Sequence, residues 1–82
     1  MPLYPAEMAI DAVELAQVRE MVRSGRARTI RERAALSQAE IAAELGVHET
    51  TVSHWELGVR SPSSALASRY GRLLRKLAEV VP

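Results

Sequence analysis

Leu36-Ser37-Gln38-Ala39-Glu40-Ile41-Ala42-Ala43-Glu44-Leu45-Gly46-Val47-His48-Glu49-Thr50-Thr51-Val52-Ser53-His54-Trp55-Glu56-Leu57-Gly58 is the stretch that decides the fold. Ser37 and Glu40 stand three apart, the spacing of a capping box, so a helix is predicted to begin there. Ile41, Ala42 and Leu45 share one face of that helix. Gly46 ends it after about two turns, because glycine accepts the left-handed conformation that closes a helix. Val47-His48 forms a tight connector. A second short helix runs from Glu49 to about Leu57, with Val52 and Trp55 three apart on one face, and Gly58 ends it.

Working outward, the four prolines lie at positions 2, 5, 62 and 82. None interrupts the interval from Ala6 to Ser61, so glycines punctuate it instead. A first helix is predicted from about Ala6 to Arg23, with Ile10, Val13, Leu15, Ala16, Val18, Met21 and Val22 as a broad apolar face. Ser24-Gly25 separates it from a second helix, about Ala27 to Ala35, which carries Ile30. Val59-Arg60-Ser61-Pro62 reads as a loop. Ser63 or Ser64 then caps a last helix to about Val80. Leu66, Tyr70, Leu73, Leu74, Leu77 and Val81 fit its 3.6-residue period. Gly71 sits inside that helix at a cost of about 1 kcal/mol relative to alanine. It either permits a close helix contact or is tolerated.

Composition narrows the function classes. The 82 residues hold no Cys, which excludes disulfides, thiolate chemistry and cysteine zinc sites. The longest stretch without a charged residue runs from Ser61 to Ser68, too short for a membrane span or a signal-peptide core. His48 and His54 are six apart and do not share a helix face, so no metal site is expected. There is no Gly-rich phosphate loop and no nucleophile–base–acid set, so neither a cofactor nor an enzymatic activity is expected.

Two short helices joined by three or four residues containing Gly46 have helix-turn-helix spacing. The residues that fill it are specific. Ile30-Arg31-Glu32, Leu36 to Ala42, Leu45-Gly46-Val47, Val52 to Gly58 and Arg60-Ser61-Pro62 together resemble the Cro/C1-type helix-turn-helix family, also called XRE, of phage repressors and bacterial regulators. The resemblance covers about Ala27 to Leu77. It implies an all-α, lambda-repressor-like bundle of about five helices, with residues 1–25 as an N-terminal extension helix and 26–82 as the helix-turn-helix domain.

The resemblance also implies roles. Arg31 and Glu56 occupy the family's partly buried ion pair. Gln38 stands where the family contacts backbone phosphate. The helix from Glu49 is the recognition helix, with Glu49, Thr50, Ser53 and His54 facing the major groove. Ile41, Leu45, Val47, Val52 and Trp55 hold it on the core. Arg60 is read as a phosphate contact. Arg26 and Arg28 are read as phosphate contacts or as a solvated basic face. Two departures stand out. His48 occupies a position often held by a Ser or Thr cap, and histidine is a poorer cap. The outward positions lack Arg, Lys, Gln and Asn, so the commonest bidentate base pairings are unavailable there.

The implied function is a sequence-specific transcriptional regulator, a phage Cro-like or other repressor, that binds a double-stranded DNA operator as a homodimer in the bacterial cytoplasm. The alternative is an antitoxin or other interaction module, docking a protein partner through its first or last helix and using the same fold to autoregulate. The distal stripe of the last helix and the first helix are the candidate dimer surface, unless the first helix covers its own domain. Net charge is only +1, which by itself argues nothing for a nucleic-acid partner. Its distribution says more. Residues 37–59 hold four Glu and no Lys or Arg, whereas 19–36 hold six Arg against two Glu. Residues 60–76 hold four Arg and one Lys with no acid. Basic flanks around an acidic reading motif suit phosphate contacts on either side and a modest affinity for DNA of the wrong sequence.

Overall fold

The computed structural model describes residues 11–81, and these form five helices. They are α1 (Ala12–Arg23), α2 (Arg26–Arg33), α3 (Gln38–Leu45), α4 (Glu49–Glu56) and α5 (Ser64–Val80). The all-α bundle expected from the sequence is the fold observed. The predicted turns at Ala6–Ile10 lie outside the described residues. Asp11 caps α1, its carboxylate accepting from the Glu14 N–H at 2.7 Å, which sets the helix start at Ala12.

The second helix is shorter than its sequence pattern suggests. It begins one residue earlier, at Arg26, and ends at Arg33 rather than Ala35. Ala35 adopts a left-handed φ of 58°, and the Leu36 N–H reaches back to the Arg31 carbonyl at 3.2 Å. This is a closing turn of the kind glycine usually makes. An alanine there costs about 1–2 kcal/mol. Leu36 is thereby turned onto the core.

One apolar core joins all five helices. Val18 and Val22 of α1, Ala27 of α2, Ile41, Ala42 and Leu45 of α3, Val52 and Trp55 of α4, and Ala67, Tyr70 and Leu74 of α5 are all buried. The Trp55 and Tyr70 rings lie 5.1 Å apart between centroids, tilted by 33°. The Tyr70 hydroxyl is buried with no hydrogen-bond partner among the described residues, and burial pushes its pKa up to about 12. The first helix thus covers its own domain, lying along α5 and reaching α2 and α4.

Gly71 faces Val18 of α1 at close range. A Cβ built on it would lie 2.6 Å from Val18 Cγ2, and Val18 is fully buried. Gly71→Ala should therefore destabilise the domain by about 1–2 kcal/mol, because overpacking outweighs the gain in helix propensity. Urea unfolding checks this. Val18→Ala on the Gly71→Ala background should recover part of the loss, whereas purely additive costs would mean that no clash exists.

Candidate nucleic-acid interface

The turn between α3 and α4 is built by backbone geometry. Gly46 takes a left-handed φ of 72°, and the Val47 N–H closes onto the Ala42 carbonyl at 3.0 Å. Nothing lies within 4 Å of a Cβ built on Gly46, so conformation rather than space calls for glycine there. The capping box at the start of α3 is complete. Ser37 Oγ accepts from the Glu40 N–H at 3.0 Å, and Glu40 Oε1 accepts from the Ser37 N–H at 2.8 Å. Those bonds from Ser37 hold the Glu40 carboxyl below its ordinary pKa.

His48 caps α4 despite being an uncommon residue for the role. Its Nδ1 accepts from the Thr50 N–H at 3.1 Å and lies 3.0 Å from the Thr50 hydroxyl. A ring that accepts at Nδ1 carries its proton on Nε2 when neutral, so its outer edge is a hydrogen-bond donor. The sequence places His48 at the cap position, as a poorer cap than Ser or Thr, and the structure shows it capping.

The core side of α4 is fixed by Val52, fully buried, and Trp55, 2 % exposed. Ile41 and Leu45 are buried behind them and Val47 is half-buried. On the other side, Glu49 and Thr50 are exposed, and Ser53 and His54 are half-buried. Thr50, Ser53, His54 and Leu57 form one stripe at helical spacing.

Arg31 and Glu56 lock α4 to α2. Arg31 Nε donates to Glu56 Oε2 at 2.6 Å, and Nη2 donates to Oε1 at 2.8 Å. Its third group, Nη1, donates to the Leu36 carbonyl at 2.9 Å. The two side chains are only 11 % and 3 % exposed. Burial by itself works against the Glu56 charge, but the hydrogen bonds from Arg31 and Gln38 and the Arg31 charge outweigh it. The carboxyl is held below its ordinary value. The same hydrogen bond with Glu56 raises the Arg31 pKa.

Gln38, at the start of α3, joins the same carboxylate. Its Nε2 donates to Glu56 Oε1 at 2.9 Å, so the side-chain amide is engaged inside the domain. Gln38 is also the first residue of α3, and a helix's first-turn N–H groups favour an anion.

The basic residues separate. Arg60 follows α4, its N–H reaching the His54 carbonyl at 3.3 Å. Arg28 is exposed on α2, 3.6 Å from Glu32, and its charge acts on Glu56. Arg26 instead lines a groove with Val13 and Gln17 of α1 and Arg75 of α5. Arg26 and Arg60 therefore do not share one surface cleft.

Compared with known proteins, residues 28–80 match a family model described as helix-turn-helix. No curated protein matches the chain, and neither does any solved structure.

Proposed function

The chain belongs to the Cro/C1-type helix-turn-helix family and is accordingly a DNA-binding transcription regulator; from that premise we infer that it is a repressor that reads an operator as a homodimer. The observation that carries the reading is the two-sidedness of α4. Val52 and Trp55 anchor one side, while exposed Glu49 and Thr50 and half-buried Ser53 and His54 lie on the other. A helix so held enters the major groove with its N-terminal half leading.

Readout follows from these side chains. Glu49 accepts from cytosine N4, the Thr50 methyl meets thymine, and His54 donates to guanine. The Thr50 hydroxyl faces His48, which leaves its methyl as the group for base contact. Arg60, Arg28, Arg26 and the first-turn N–H groups of α3 take phosphates. Repression follows from occupancy of the operator. Val13 of α1 and Val80 of α5, 68 % and 77 % exposed, supply apolar surface for pairing two copies.

Selection of duplexes from a random pool tests this reading. A palindromic site bound at two copies per duplex is expected, with the mass of the complex measured alongside. Thr50→Ala and His54→Ala should change the preferred bases. Arg60→Ala should weaken all sequences alike and flatten the salt dependence. A pool that emerges without enrichment would exclude sequence-specific repression. A complex containing a different protein in place of the second copy would point to an antitoxin or other interaction module.

A further inference from the structure

The two helices that read DNA in this family carry no positive side chain here, since residues 37–59 hold four Glu and neither Lys nor Arg. Phosphate neutralisation near the recognition helix therefore has to come from outside it. Beside the C-terminal end of α4 lies an open cleft of about 270 Å³. Arg19 and Arg23 of α1 line it together with Leu57, Gly58, Arg60 and Ser61. Leu57 is the last member of the Thr50–Ser53–His54 stripe, so the cleft opens where the reading face ends.

We propose that this cleft is a DNA-phosphate site in which Arg23 of α1 acts together with Arg60, and that Arg19 positions the loop carrying Arg60. The inference rests on the DNA-binding reading above and extends the interface to a helix that precedes the family-matched segment 28–80.

Three observations support it. Arg19 spans 43 residues of sequence to reach that loop, its Nη2 donating to the Pro62 carbonyl at 3.2 Å. Pro62 is fully buried, so this bond ties the loop to α1 at a fixed point. Arg19 Nε is buried with no hydrogen-bond partner among the described residues, and none of the salt bridges among them involves Arg19. Of the acidic groups at the cleft, Glu56 is already saturated by Arg31 and Gln38. Glu20 pairs with Arg23, but that pair is exposed, the two side chains being 77 % and 47 % accessible, and such pairs yield readily to a stronger anion. The cleft is thus left with three guanidinium groups and one satisfied carboxylate. Planar guanidinium forks match phosphate oxygens well.

The test is a salt titration of binding to a mixed-sequence DNA duplex and to the duplex selected from the random pool. Arg23→Gln should lower the slope of log K against log salt by about one on both duplexes. Arg23→Lys, which keeps the charge, should retain the slope. Arg72→Gln, in a separate groove beside Glu44, should leave it unchanged. Arg19→Met should weaken binding in the wild-type background and have no further effect on Arg60→Gln, the signature of a positioning residue. Melting temperatures taken in parallel separate loss of a contact from loss of the fold. An unchanged slope in Arg23→Gln, with wild-type binding intact, overturns this site and leaves the DNA-binding reading standing. Absence of wild-type binding to both duplexes overturns both.

Discussion

Glu56→Ala should cost the domain about 3–5 kcal/mol, because it strands the Arg31 guanidinium in a site where only 11 % of that side chain is exposed. The loss goes beyond one ion pair. Glu56 accepts three hydrogen bonds, two from Arg31 and one from Gln38, and so joins α2, α3 and α4 at a single carboxylate. A chain of this length has a total stability of about 4–12 kcal/mol, so the variant should be largely unfolded at modest urea concentrations. Pairing Glu56→Leu with Arg31→Met should be milder than Glu56→Ala alone, since no charge is then left buried. Urea midpoints of both proteins check this, and a double replacement costlier than the single one would contradict it.

The same carboxylate fixes the sign of an acid response. Its folded-state pKa lies below the ordinary value of 4.5. Its contribution is therefore complete above that ordinary value and is lost as pH falls through the folded-state one. Wild-type stability should decline in that window, and a Glu56 replacement should show a smaller decline. A Glu56 variant with an undiminished acid response would assign the effect to other carboxylates.

Trp55→Ala is expected to cost a further 3–5 kcal/mol in its own right, by the cavity that opens between α4 and α5. Trp55 is 2 % exposed and lies against Tyr70, whose burial is complete. The cavity falls beneath the proposed reading face, so residual folded protein should also lose affinity for the selected duplex. Trp55→Phe keeps an aromatic ring against Tyr70 and should cost markedly less. Trp55 is the only tryptophan, so far-UV circular dichroism rather than fluorescence must follow the unfolding of both variants. Equal losses in the two variants would mean that ring packing against Tyr70 is not what holds α4.

Much of this was legible because it is written in short-range code. Ser37 and Glu40 announce a helix start, and Gly46 and Gly58 announce two helix ends, through interactions spanning three or four residues. The buried side of α4 followed from the three-residue spacing of Val52 and Trp55. The end of α2 carries no such signal. Ala35 takes a conformation that alanine does not advertise, and the turn is held by bonds back to Arg31 and Glu32. The cap by His48 is weakly announced for a similar reason, since it depends on which ring nitrogen accepts.

Placement of the outlying residues belongs to another class of information. Gln38 turned inward because Glu56, eighteen residues away, offers a buried carboxylate that needs more than one donor. Arg19 reaches Pro62, and Gly71 admits Val18, only because α1 lies along α5 and against the end of α4.

The sequence by itself determined five helices, their order and the two-helix motif at the centre, since periodicity and caps act within a turn or two of the chain. Only the tertiary structure decided which basic groups stand beside α4. Arg26 went to a groove with Arg75, whereas Arg19 and Arg23 went to the cleft with Arg60. The physical reason is that burying the apolar face of α1 fixes where its polar residues point, and that burial depends on helices far along the chain.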